Sequence, residues 1–148
     1  MNYFLFSILL VLLYSNDEVF RKASMQASQM LTSPHDETDT FISCNGKITT
    51  IILKDSVINK PGQLGMEYNY PIYKYETEII FYKDKQLAAI EMKQISLKHY
   101  EYLGVTTGME KSTIIDNQHC FYFDQSNRPI SRLQLLEIQK KICREKEE

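Results

Sequence analysis

The sequence predicts an α+β domain. Its sheet is antiparallel and meander-like, with about five to seven strands, and an N-terminal helix and a C-terminal helix pack on one face. Three observations carry that expectation. Residues 16–31 repeat apolar side chains at helical spacing. Residues 41–123 change to short β-branched and aromatic runs separated by turn residues. Residues 131–144 return to helical spacing behind a capping sequence.

In the first helix, Phe20, Ala23, Ala27, Met30 and Leu31 form the apolar face. Asn16 or Asp17 caps it, and Asp17 and Glu18 suit the positive end of its dipole. Ser33-Pro34 ends it, and residues 32–40 read as a polar, acidic loop. Two short strands, 41–43 and 47–53, flank Cys44-Asn45-Gly46, because Asn-Gly tolerates the positive φ of a tight hairpin turn. Residues 54–65 contain Asn59, Pro61, Gly62 and Gly65 and read as a connection. Residues 72–82 form a strand, Lys83-Asp84-Lys85-Gln86 turns it, and residues 87–95 return. A helix over 87–103 is the rival reading, set aside because the preceding strand and turn look like half a hairpin. Strand continues over 96–105, and Thr107-Gly108 turns. Residues 113–115 and 119–123 form a last hairpin about Asp116-Asn117. Ser131 with Gln134 makes a capping box, Ile130 with Leu135 a hydrophobic staple, and Leu135, Ile138 and Ile142 an apolar stripe over 132–144.

Composition fits one domain: 148 residues, 43% of them hydrophobic, with 17 basic and 19 acidic side chains and a formal net charge of −2. These values exclude a disordered chain, a collagen and a basic nucleic-acid tail. The hydrophobic residues are unevenly spread, since twelve of the first fifteen are apolar and no charged side chain precedes Asp17. The run over 3–14 is shorter than the ~20 residues that cross a bilayer, and fits the core of a signal peptide. The expected organisation is therefore a leader over 1–15, cleaved near Ser15/Asn16, and a single domain over 16–148 that is secreted or periplasmic, with no membrane attachment in its mature form.

Three cysteines, Cys44, Cys120 and Cys143, suit an exported chain with one disulfide of open pairing and one free thiol. Their spacing matches no metal site, and the acidic segment His35–Asp39 lacks the Gly and distal Glu of a calcium loop. His119-Cys120 suggests a nucleophile and its base. On a strand, however, the two point to opposite faces, so a working base would be His35 or His99 brought in from elsewhere. Glu78 and Glu91 alternate with apolar neighbours and read as the solvent face of strands. The five glycines match no phosphate cradle, and no cofactor is implied. The net negative charge disfavours nucleic acid.

The tyrosine-rich stretch Tyr68, Tyr70, Tyr73 and Tyr75 is the expected binding surface, since Tyr offers large contact area at small rotamer cost. The leading expectation is a small exported, non-enzymatic protein that binds another macromolecule, a protein partner. The alternatives are a carrier of small apolar ligands with a barrel- or cone-like sheet, and a thiol-dependent enzyme.

Overall fold

The computed structural model describes the backbone of residues 2–58, 71–102, 105–114 and 120–145, and the side chains of 16–55, 75–95 and 120–145. Helix α1 (Asn2–Thr32) is followed by β1 (Glu37–Ser43), β2 (Ile48–Ile58) and β3 (Pro71–Tyr82). A 3-10 turn (Lys83–Lys85) leads to β4 (Leu87–Tyr102), β5 (Val105–Ile114), β6 (Phe121–Tyr122) and helix α2 (Arg132–Arg144). The sheet is antiparallel in the order β1-β2-β3-β4-β5, with β6 also on β4. This is the α+β class that the hydrophobic patterning predicts.

The turns form where the sequence permits positive φ. Cys44, Asn45 and Gly46 have φ of 53°, 57° and 81°, and the Lys47 N–H closes the turn onto the Cys44 carbonyl at 3.2 Å. Asp84 and Lys85 are also left-handed, at 67° and 61°, and the Tyr82 N–H bonds the Gln86 carbonyl at 2.8 Å. Between β3 and β4 the register shifts, so that Ile80 faces Ala89 while Phe81 faces Leu87. Ala88 is the additional residue of this bulge, and Ala88 and Ala89 both join the same core.

Side chains alternate across the sheet, which gives it two apolar faces. On one face Ala23 and Ala27 of α1 pack with Leu53, Ile79, Leu87, Ile90 and Phe123. Phe123 is fully buried and takes the Phe20 ring edge-on, with centroids 5.1 Å apart. On the other face Leu135 and Ile142 of α2 pack with Ile48, Ile80, Tyr82, Ala88 and Ala89. The fold is thus three layers, helix on sheet on helix, and the helices cover opposite faces rather than the same one, because alternation gives both faces of the sheet apolar side chains. The small side chains of Ala23 and Ala27 let α1 lie close to the strands, as do Ala88 and Ala89 for α2.

Several boundaries differ from the sequence reading. The first helix begins at Asn2 rather than near Asn16, because the apolar run and the amphipathic segment share helical geometry without a break. Strand β1 already begins at Glu37, so half of the expected acidic loop is strand. Its acids are accommodated by Lys54, whose Nζ lies 2.7 Å from Asp39 and 3.5 Å from Glu37. Strand β2 runs on through Lys54 to Ile58, into the expected connection. Thr107 and Gly108 do not turn but pair with Tyr100 and His99 inside β5. Residues 113–114 and 121–122 do not form a hairpin with each other. Both segments lie along the same edge of β4, at Lys93–Gln94 and Ala89–Ile90. The expected turn at Asp116-Asn117 lies outside the described residues.

Candidate functional site

Helix α1 crosses its face of the sheet obliquely. Phe20 contacts Phe123 near β6, whereas the end of the helix reaches β2, where Leu53 is 1% exposed. Among the described residues, no helix covers the corner formed by β1, β2 and the end of β3. There the chain forms a groove of about 940 Å³, a volume within the range of specific binding sites. Its wall is one stripe of α1, carrying Phe20, Ser24, Ala27 and Leu31. Its floor is Thr49, Ile51 and Phe81, and the 3-10 turn with Lys83 and Lys85 closes one end. Phe20, Ile51 and Phe81 are half-buried and Leu31 is 38% exposed. Beyond the floor, Thr38, Thr40 and Ile42 of β1 are exposed on the same face. Neither Lys83 nor Lys85 has an ion-pair partner among the described residues. The groove therefore offers an apolar bed whose closed end carries Lys83, Asp84 and Lys85, one net positive charge, and among its lining residues no thiol or histidine that could act as nucleophile or base.

The opposite face carries a different cluster. Glu78 and Glu91 are cross-strand neighbours. Glu91 is not on a solvent face, as the alternation suggested; it is buried beneath the start of α2. Its Oε2 accepts from Arg132 Nε at 2.7 Å and from the Tyr122 hydroxyl, and Lys93 Nζ lies 3.5 Å from Oε1. Lys93 also pairs with Glu78 at 3.4 Å. Burial pushes the Glu91 carboxyl up, but the bonds from Arg132 and Tyr122 and the charges of Arg132 and Lys93 outweigh it and hold the group below its usual range. The Tyr122 hydroxyl is driven well above its ordinary value, first by burial and then by its bond to the Glu91 carboxylate. An ionised, fully engaged carboxylate is no proton donor. This network fastens α2 to the sheet.

The expected binding tyrosines are only partly described. Tyr68 and Tyr70 lie outside the described residues. Tyr73 lies in β3 opposite Ser96, with its side chain outside them. Tyr75 is half-buried and lies between Asp55 and Gln94 in register. Cys44 and Cys143 form a disulfide with Cα atoms 4.6 Å apart, which joins the β1–β2 turn to the end of α2. Cys120 is a half-buried free thiol, and His119 lies outside the described residues. Among the described residues, no three His, Cys, Asp or Glu side chains are placed to hold a metal ion. No helix among them is long and apolar enough to cross a membrane. No family model, curated protein or solved structure matches the chain.

The groove was not legible in the sequence. Phe20, Ala27 and Leu31 stand out as an apolar helical stripe, but how much of that stripe the sheet covers depends on the lateral placement of α1.

Proposed function

We propose that this chain is a small exported, non-enzymatic binding protein that holds an amphipathic helix of a partner protein in the groove beside α1. The observation that carries the reading is the uncovered apolar corner of the sheet. Strands lie about 4.8 Å apart, so a corner of three strands is about 10 Å wide, close to the diameter of one helix. A helix laid there would cover Ile51 and Phe81 as α1 covers Ile79 and Ile90. Lys83 and Lys85, offset in part by Asp84 between them, leave one net positive charge that favours a partner helix with an acidic residue at the end that meets them. Export is supported by the leader-like run over 3–14 and by the Cys44–Cys143 disulfide, a bond that persists in oxidising compartments. The described packing side chains of α1, from Phe20 to Met30, all follow the expected cleavage point at Ser15/Asn16.

The groove volume also suits a small apolar ligand. The described sheet is open, with β1 and β5 at its two edges, so a carrier would use this groove rather than a barrel lumen.

Selection of a random displayed peptide library on the full chain tests the reading. Enriched peptides are expected to space apolar residues at i, i+3 or i+4, and i+7, with acids at one end. Leu31→Glu is expected to weaken them at least tenfold, which is about 1.4 kcal/mol. Enriched peptides of extended pattern, or binding indifferent to Leu31→Glu, would overturn it. Tight binding of the fluorescent fatty acid cis-parinaric acid, lost in Leu31→Glu, with no enriched peptide, would replace the helix with a lipid. The export half predicts that protein from its native host begins near Asn16, and an intact Met1 in a cytosolic fraction contradicts it.

A further inference from the structure

We infer that His35 is a proton-controlled latch that fastens the end of α1, and with it the helical wall of the groove, to β2. The His35 side chain is only 13% exposed. Its Nε2 lies 2.5 Å from the carbonyl oxygen of Met30, in the last turns of α1. Its Nδ1 lies 2.8 Å from Oδ2 of Asp55 on β2. A carbonyl oxygen only accepts hydrogen bonds, and so does an ionised carboxylate. A neutral imidazole has one N–H and serves one of these acceptors. The imidazolium has two and serves both.

The end of α1 has a use for that charge. Its last turn contains no basic residue, although the exposed carbonyls and the helix dipole favour a cation there. The Thr32 hydroxyl shares its one proton between the Ser28 and Gln29 carbonyls at 3.0 and 3.1 Å, and the Ser33 hydroxyl donates to Gln29 at 2.7 Å. These are neutral donors, and His35 supplies the positive one. From β2, Asp55 faces it, and the other oxygen of Asp55 accepts the Asp36 N–H at 3.3 Å. Asp36 adds its own negative charge from the connecting segment. Tyr75 of β3 stands beside Asp55 in register. Lys54, next to Asp55 in sequence, is turned to the other face toward Asp39 and Glu37.

The bond to the Met30 carbonyl, then the bond to Asp55, raise His35 above its ordinary 6.5 against an opposing effect of burial. A raised value places the full stabilisation below pH 6.5 and removes it as pH rises through the folded-state value. Above that point one of the two bonds is lost and the wall carrying Leu31 loosens. The link to partner binding rests on the groove reading; the latch does not.

Nitrogen-15 NMR of the uniformly labelled full chain tests the latch. Both ring nitrogens of His35 are expected to be protonated at pH 6, with a titration midpoint above 6.5. Hydrogen-exchange protection of the Thr32 and Ser33 amides, corrected for intrinsic rates, should fall about tenfold through that midpoint, the loss expected of one charge-assisted hydrogen bond. His35→Gln should remove the pH dependence, and the milder Asp55→Asn should lower the midpoint. A midpoint at or below 6.5, or protection that ignores pH in the wild type, overturns the proposal. Peptides from the library selection separate the two readings. A latch that titrates as expected in a chain that enriches no helical peptide leaves the latch standing and the groove reading defeated. Helical peptides that bind a chain with an ordinary His35 do the reverse.

Discussion

Glu91 lies where β4, β6 and α2 meet, 5% exposed, with Tyr122, Arg132 and Lys93 around its two oxygens. Replacing it with Gln keeps the shape and removes the charge, leaving Arg132 and Lys93 without their shared counter-ion. The expected loss is about 2 kcal/mol, the contribution of the charge-assisted hydrogen bonds that the buried carboxylate accepts from Arg132 and Tyr122. The pH dependence has a definite sign. The folded carboxyl lies below its ordinary 4.5, so its contribution is present above that value and is lost as pH falls through the folded-state value. Urea unfolding should show wild type and Glu91→Gln well separated at pH 7 and converging in strong acid. Equal midpoints at pH 7 would refute this role. Reading Glu91 as solvent-facing was reasonable from alternation, since Glu91 follows Ile90 on a strand. The signal that it is buried is Arg132, the first residue of a helix 41 positions away, and such a distance is invisible to a local pattern.

Helix α2 shows which elements a sequence specifies and which it leaves open. Ser131 accepts from the Gln134 N–H at 3.2 Å, and the Gln134 side chain accepts from the Ser131 N–H at 2.8 Å, as the capping box predicts. The motif is complete within four residues and was therefore legible. The partner of Cys143 was not, because Cys44 is 99 positions away and three pairings were open. The bond closes a long loop, and its removal by Cys143→Ser is expected to cost about 3–5 kcal/mol, from the chain entropy returned to the unfolded state. Hydrogen exchange should then rise first in α2, which loses its tie to the Cys44 turn. Equal urea stability of Cys143→Ser and wild type would contradict that role. The predicted hairpin over 113–123 failed for the same reason that Cys143 was ambiguous. Turn residues promise a reversal locally, whereas β5 and β6 take their positions from a shared edge of β4.

At the scale of the molecule, apolar alternation in β3 and β4 gives the sheet two cores, and the two helices divide them. The class of fold, the antiparallel sheet and both flanking helices were legible because periods of 2.0 and 3.6 residues are written along the chain. The opposite placement of the helices and the uncovered corner were not, because they depend on where α1 crosses the strands. That crossing leaves Ile51 and Phe81 beneath an open groove and Ile42 exposed 71% beside it. On the proposal made above, a partner helix occupies this corner. The most direct measurement is a ¹⁵N NMR titration of the full chain with an enriched library peptide. A helix in the groove is expected to shift signals at Leu31, Thr49, Ile51, Phe81 and the Lys83–Lys85 turn and to leave α2 unaffected. Shifts concentrated at Leu133 and Leu136 of α2, with the groove silent, would contradict it.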